Sequence, residues 1–395
     1  MTVQEFLISH NAAPEQIHAA EGLSLLLEDM RLGLSGLGNI PMLPSYLTPD
    51  ISVQPGDLCC VLDAGGTNLR TAMAVFTEDG SCRLEGLEKI PMPGTEGELS
   101  FSQFYEALAK PLRRLGHFHR VGFCFSYNMT MDKHLDGSLD FWCKEVQVPE
   151  AVGRPVGASL KAALGSGCET IHVLNDSVAA MLGAGDVQAG IILGTGVNVC
   201  YTEACKNIPK IKEPLHAETM IISTEVGEFS QLPKSDFEQP VIESSDAPGN
   251  AHGEKQCSGG YLGQIITLAW NTAAREGLLE EAFREGAWDL AWISRGLSED
   301  SLPAAAAQIA RAAIRRAAKI AAILCAGPIL RLPRQDAPVK IAMEGSQYWK
   351  LTGFREAFHR ELDGLVSPYG IRYTIVKSEN ACLIGAARAA FAKTM

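Results

Sequence analysis

Residues 61–70 read VLDAGGTNLR. The apolar run that leads into them, LCCVLD from Leu58, predicts a buried strand over Leu58–Asp63. Gly65 and Gly66 then predict a tight turn, and a second strand over Thr71–Phe76 leads away. A plain hairpin accounts for the shape of this stretch but not for its chemistry. Asp63, Gly65, Gly66, Thr67, Asn68 and Arg70 fall within eight positions. Glycines let a backbone approach a ligand closely and offer it N–H groups. Thr67 and Arg70 add donors suited to phosphate oxygens. Asp63 is a hard oxygen ligand for Mg²⁺, usually through water.

Outward from this turn, the chain alternates strands and helices. A helical apolar spacing runs from Pro14 to about Leu37, and strands are predicted near Cys82–Ile90, Val121–Ser126 and Thr170–Asn175. Helices are predicted over Phe101–Leu115 and Val156–Leu164, and NDSVAAMLGAG opens another. Gly190–Leu193 and Val197–Tyr201 flank GTG as a hairpin pair. Beyond Tyr201 the chain turns irregular up to about Gly253 and then mainly helical. It includes an Ala-rich helix with Pro303 near its first turn and Gly327-Pro328 after its end. Two late strands, VKIAMEG and IRYTIVK, precede a closing amphipathic helix. No repeat is evident, although two αβ halves could be related without showing it.

With 395 residues and 46% hydrophobic content the chain is long enough to split into two domains. Its 34 basic against 46 acidic side chains give a net charge of −12, without clustered Lys or Arg. That balance argues against nucleic-acid and membrane-surface partners, which need clustered positive charge. The 11 cysteines lack CxxC pairs and several sit in apolar runs, the usage of reduced core thiols. With no signal-like N-terminus and no long apolar segment, the expectation is a cytoplasmic protein. His117 and His119 flank Phe118 without metal-ligand spacing. Trp142 and Trp349 read as packing residues, and Arg311, Arg315 and Arg316 as a solvated helix face.

Three Gly/Thr/Asp turns stand out: DAGGTN at 63–68, GTGVN at 194–198 and MEGSQ at 343–347. Each follows an apolar run, and no Walker A sequence is present. Their conjunction points to a nucleotide held by hairpin and helix-start loops, with Gly194, Thr195, Gly196, Gly345 and Ser346 joining the first turn. Asn175-Asp176 is the candidate for the chemical step. One reading makes it a helix N-cap. The other makes Asp176 a carboxylate at a strand mouth that accepts a hydroxyl proton during phosphoryl transfer.

In this order MLPSY (42–46), LDAGGTNLR (62–70), FSYN (125–128), FWCKEV (141–146), LNDSVAAML (174–182), GTGVNVCYTE (194–203), ISTEVGEF (222–229), GEKQCSGGYLGQI (253–265) and EGSQYW (344–349) occur along nearly the whole chain. By these motifs the chain resembles the hexokinase family, within the actin-like and sugar-kinase ATPase superfamily, in its bacterial-type single-unit form. The resemblance implies an α/β, ribonuclease H-like fold of two lobes around a cleft. It places a small domain at 56–203 plus 376–395 and a large domain at 1–55 plus 204–375.

The resemblance further implies an ATP- and Mg²⁺-dependent transfer to a hexose 6-hydroxyl, glucose foremost. Asp63 would hold Mg²⁺ through water, and Thr67, Arg70 and Thr195 would face the phosphates. Asp176 would be the general base, with Lys144 and Arg70 beside it. Ser126, Lys144, Asn175 and Glu254 would bind sugar hydroxyls, and Gly345 with Ser346 would form the adenosine-side loop.

The chain departs from the family pattern at the sugar. Cys143 stands where Thr is usual, Ser223 where Asn is usual, Val226 replaces Trp, and FSYN replaces FSFP. The second pocket glutamate falls at Asp236, one methylene shorter. A lost or lengthened buried polar contact costs about one to a few kcal/mol. Mannose, fructose or an N-acetylated hexosamine are therefore alternative acceptors, and a non-catalytic sugar sensor is the alternative of another class. The oligomeric state stays open, a homodimer among the outcomes.

Overall fold

A computed structural model describes residues 1–142, 146–280, 282 and 289–394. The strands are β1 (Leu43–Pro44), β2 (Leu58–Ala64), β3 (Asn68–Phe76), β4 (Cys82–Pro91), β5 (Arg120–Phe125), β6 (Asn128–Met131), β7 (Gly137–Phe141), β8 (Thr170–Leu174), β9 (Ala189–Leu193), β10 (Val197–Ala204), β11 (Thr219–Ser223), β12 (Val339–Glu344) and β13 (Tyr373–Val376). They form two large sheets with the same wiring. One has the order β4-β3-β2-β5-β8, with β3 antiparallel to its neighbours and β5 and β8 parallel to β2. The other has the order β11-β10-β9-β12-β13, with β10 antiparallel, β12 and β13 parallel to β9, and β1 added at the edge. The turn after β2 (65–67) and the turn after β9 (194–196) thus occupy equivalent places in two related halves. This internal duplication carries no visible sequence repeat.

Local sequence explains the placement of these strands. From Cys59 to Ala64 every residue of β2 is buried, as a continuous apolar run demands of a strand covered on both faces. At the opposite extreme, β4 carries Glu85, Glu88 and Lys89 on an exposed sheet edge, where charge discourages pairing with another chain.

Two helices join the lobes by crossing. The helix Asp176–Gly183 follows β8 of the first sheet but packs on β9, β10 and β12 of the second. The helix Ala381–Ala389 follows β13 of the second sheet but packs on β2, β5 and β8 of the first. They cross on small residues: a Cβ on Gly385 would fall 1.8 Å from the Ala179 carbonyl oxygen, and one on Gly183 1.9 Å from that of Ala381. Any side chain at either position would force the two backbones apart.

Two expectations need correction. The Ala-rich helix does not stop before Gly327-Pro328 but runs from Ala304 to Arg331, with Pro328 inside its last turn. There the missing proline N–H costs only a terminal bond, and the buried Ile329 keeps the turn packed. Arg316 does not line a solvated face. Its side chain is 3% exposed and its guanidinium is paired with Glu238, itself 2% exposed, at 2.6 Å. The hairpin β6–β7 carries little sequence signal, because its short strands alternate weakly and the charged turn MDKHLDG interrupts them. Among the described residues, no helix is long and apolar enough to cross a membrane.

Candidate active site

The turn after β2 is built by backbone and by Tyr127. The Gly65 N–H donates to the Asn68 carbonyl at 3.0 Å, and the Tyr127 hydroxyl donates to the Gly65 carbonyl at 2.9 Å. The tyrosine of FSYN therefore has a structural task at the turn that carries Gly66 and Thr67. Asn68 Nδ2 donates to Thr67 Oγ1 at 2.7 Å, fixing the hydroxyl beside the glycines. Ser126 joins from the end of β5, its N–H on the Ala64 carbonyl at 3.1 Å.

Asp63 and Arg70 face each other in register across β2 and β3. Arg70 Nε donates to Asp63 Oδ2 at 2.8 Å, and Nη2 reaches the same oxygen. Both contacts fall on Oδ2, and a carboxylate at this place is the hard-oxygen donor that fits Mg²⁺ held through water. Arg70 Nη1 also donates to Asn380 Oδ1 at 3.4 Å, tying β3 to the residue before the second crossing helix. Glu344, at the end of β12, faces this pair. Burial raises its carboxyl above the ordinary range, Arg70 opposes the rise and Asp63 adds to it.

In the second sheet the turn after β9 closes with the Gly194 N–H on the Gly196 carbonyl at 3.0 Å. The start of the helix Gly259–Arg275 holds it from behind: Gly259 N–H donates to Gly194 O at 2.8 Å and Gly260 N–H to Thr195 O at 3.1 Å. Gly345 meets this turn directly. It has φ +113°, and a Cβ there would lie 2.1 Å from the Leu193 carbonyl oxygen, so only glycine fits. Ser346, exposed, then opens the short helix Ser346–Lys350. Two of the three glycine turns thus touch.

Asn175 and Asp176 occupy the mouth of β8. Asn175 is the N-cap of the first crossing helix, its Oδ1 accepting from Ser177 N–H at 2.8 Å and from Ser177 Oγ at 2.8 Å. Asp176 is the first helical residue, partly exposed, and its Oδ1 also accepts from Ser177 N–H at 2.8 Å. The two readings of this pair divide between the two residues: Asn175 caps, which leaves Asp176 at the surface of the cleft.

Around Asp176 the structure gathers a polar cluster from the second sheet. Asn198, on β10, donates from Nδ2 to Glu225 Oε1 at 2.6 Å and to Ser223 Oγ at 3.1 Å. Ser223 Oγ donates to the same Glu225 oxygen at 2.8 Å. Glu225 lies in the left-handed region, φ +57°, held there by its own N–H on Asn198 Oδ1 at 3.0 Å. Such a conformation costs of order 1–3 kcal/mol at a non-glycine residue, and the Asn198 contacts offset it. Burial pushes the Glu225 carboxyl up to about 7, with the neighbouring Asp176 and Glu254 charges adding to the rise and the Ser223 and Asn198 bonds opposing it. Glu254 closes the cluster under the GTG turn, its Oε2 accepting from Val197 N–H at 3.0 Å. A cavity beside these groups is lined by Tyr127 and Met129 of the first lobe and by Asn175, Ser223 and Glu225.

Most of the candidates meet at this junction, but not all. Asp236 does not. Its side chain is 51% exposed and bonded to His10 Nδ1 at 3.0 Å, and its N–H donates to the His10 carbonyl at 3.1 Å. The reason is local: Phe237 stacks under Phe6, which turns Asp236 toward the N-terminal helix Val3–Ser9. The acid at the cluster is Glu225 instead, and Asn198 is the other residue that the sequence reading passed over. Both had a signal. Each is a polar residue next to a buried apolar run, Asn198 on β10 in GTGVN and Glu225 just after β11 in STEVG, where Cys200 pairs opposite Ser223. Cys143 and Lys144 lie outside the described residues.

Two hexokinase family models match the chain, one over residues 2–185 and the other over 188–292 and 293–392. The chain is 34% identical over 268 residues to the Hexokinase-like 1 protein of Arabidopsis thaliana, covering 61% of this chain and 54% of that protein. It therefore spans about half the length of that relative. It is 28% identical to Hexokinase-7 of Oryza sativa subsp. japonica, with 92% of each chain covered. Among solved structures, the hexokinase from Schistosoma mansoni complexed with glucose superposes with a TM-score of 0.85 at 22% identity, covering 99% of this chain and 100% of that one.

Proposed function

The chain belongs to the hexokinase family, and from that premise we propose that it transfers the terminal phosphoryl group of ATP to the 6-hydroxyl of a hexose, glucose foremost. What supports this reading is the cluster of Asn175, Asn198, Ser223, Glu225 and Glu254 beside Asp176, with Glu254 against the turn at 194–196. A sugar is a ring of hydroxyls, and this cluster supplies fixed acceptors and donors around one partly exposed carboxylate.

In this reading Asp176 takes the proton from the 6-hydroxyl as the oxygen attacks phosphorus. Backbone N–H groups of the two turns, the hydroxyls of Thr67 and Thr195, and Arg70 receive the charge on the phosphoryl oxygens. Asp63 would hold Mg²⁺ through water, and the ion would supply charge neutralisation to the phosphates. Rotation of the lobes about the crossing helices excludes water, the competing nucleophile. Asn198, Glu225, Ser223 and Glu254 orient the sugar, with Ser126 at the first-lobe wall. The ten described cysteines are all free, which supports action in a reducing, cytoplasmic compartment.

A coupled ADP assay across glucose, mannose, fructose and N-acetylated hexosamines tests the reaction and ranks its acceptors. ADP release that depends on sugar, with glucose at the highest kcat/KM, is the expected result. Sugar binding without ADP release from any acceptor would identify a sensor instead.

Glu225 gives the reading a pH signature. Its carboxyl in the sugar-free protein sits near 7, above the ordinary value of 4.5. Sugar hydroxyls donate to the ionised form, so affinity should rise as pH increases through about 7 and level off above it. Stability runs the opposite way. This group's contribution is complete below the ordinary carboxylate range and is lost as pH rises through the folded value. Glu225→Gln should flatten both slopes, as titration calorimetry and thermal melts between acid and alkaline pH would show. An unchanged slope in the variant assigns the titration to another group.

A further inference from the structure

MLPSY (42–46) takes no part in the phosphoryl transfer proposed for this chain, yet it walls the cavity beside Glu225: Leu43, Pro44 and Ser45 line it together with Ser223 and Glu225. This wall is bent at both ends. Met42 and Tyr46 lie in the left-handed region, φ +50° and +56°, and neither is glycine. Such backbone persists only where its surroundings hold it. On one side the hold is β11. Leu43 pairs with Ser223 and Pro44 with Ile222, the Ser45 N–H donates to the Ile221 carbonyl at 3.1 Å, and the Met42 N–H donates to the Thr224 carbonyl at 3.0 Å.

On the other side the hold is one lysine, Lys210, from the loop after β10. Its Nζ donates to the Pro41 and Met42 carbonyls, each at 2.6 Å, and to the Gly33 carbonyl in the last turn of the helix Ala19–Leu34 at 3.1 Å. An ammonium has three N–H donors, and here three main-chain carbonyls receive them. Helix end and wall are pressed together at this point, since a Cβ on Gly33 would lie 2.1 Å from the Ile40 carbonyl oxygen. Burial pushes the Lys210 ammonium down to about 8. The charge is thus kept at a cost that an apolar side chain of the same length would avoid.

We propose that Lys210 is a positioning residue for the hexose: through Met42 it fixes the peptide that carries Glu225, and so sets the affinity for the sugar. The relay is short. Lys210 holds the Met42 carbonyl, and the Met42 N–H holds the Thr224 carbonyl. The same Thr224–Glu225 peptide is held from its other side, where the Glu225 N–H donates to Asn198 Oδ1 at 3.0 Å. With both sides fixed, Glu225 keeps the left-handed placement in which Ser223 and Asn198 donate to its carboxylate. Without the ammonium, carbonyls at a helix end, where partial negative charge accumulates, lose their donor. Met42 then relaxes, and the Thr224 carbonyl moves with it. Asp176 and the turn at 65–67 stand on other elements, so the loss falls on sugar binding and not on turnover.

The effect on glucose rests on the hexose reading above, whereas the ordering of the wall does not, and two measurements on Lys210→Met separate them. Hydrogen exchange followed by mass spectrometry reads the amides of Met42, Ser45 and Ile221. Titration calorimetry reads the glucose Kd, and the coupled assay reads kcat and KM. Faster exchange confined to 40–47 and 219–225, a glucose Kd and KM raised about tenfold, and a kcat at saturating glucose close to wild type are expected. Lys210→Gln, which keeps two N–H donors, should show the same changes to a smaller degree, and it carries the test if the methionine variant does not fold. Unchanged exchange in the wall overturns the relay. Faster exchange with an unchanged glucose Kd, or a loss confined to kcat, overturns the role in sugar binding. Wild-type protein that binds no glucose counts against the hexose reading alone, since the exchange still decides whether Lys210 orders the wall.

Discussion

Asp176→Asn should lower turnover by about 10²- to 10⁴-fold, the usual worth of a positioned proton acceptor, while glucose binding stays close to wild type. Asparagine matches aspartate in size, and its amide oxygen can still accept from Ser177 N–H, the bond that Asp176 Oδ1 makes at 2.8 Å. Asn175, not Asp176, caps the helix, so the first turn survives the change. Asn198, Ser223 and Glu225 are bonded to one another and Glu254 to the Val197 N–H, which holds them in place. What the variant loses is an acceptor for the hydroxyl proton. The decisive measurement is kcat beside a directly measured sugar Kd. Turnover within a few fold of wild type would remove Asp176 from the chemical step, and a parallel collapse of sugar binding would recast it as a sugar ligand.

The second large effect concerns stability and lies away from the cleft. Glu238 receives Arg316 Nε at 2.6 Å and Nη2 at 3.1 Å, the Ser235 N–H at 2.7 Å and Gln256 Nε2 at 3.2 Å. Glu238→Ala strands a buried guanidinium and leaves a backbone donor unpaired. Breaking such a pair from one side costs about 3–5 kcal/mol. A denaturant melt followed by tryptophan fluorescence should show that loss. The double variant Glu238→Ala/Arg316→Met should recover most of it, because a pair removed from both sides leaves no buried charge. A double variant as unstable as the single one would trace the cost to the lost Ser235 and Gln256 bonds instead.

Much of the architecture was legible because it follows from local chemistry. The apolar run Leu58–Asp63 had to be covered on both faces, and the glycines after it had to turn. Residues in the glycine turns and at Asn175-Asp176 were legible for the same reason: polar groups at strand ends have few structural uses. What escaped depended on partners distant in sequence. Arg316 looks like a surface residue until Glu238, 78 positions away, is brought against it. Asp236 and Glu225 are both acids in one irregular segment. Only the stacking of Phe237 on Phe6 and the grip of Asn198 on Glu225 tell them apart. The duplicated sheet wiring was invisible because hydrogen-bond order constrains burial and twist, not residue identity.

The exchange of helices between the sheets bears on how the enzyme moves. Where Gly183 and Gly385 bring main chain onto main chain, neither helix has a cushion of side chain to slide upon. Relative motion of the halves is thereby confined to pivoting at that knot. Asp176 begins one of the two helices, one turn before Ala179 at that contact, and so rides near the pivot. On the proposed reading, a carboxylate placed there would keep its position while the two halves turn about it.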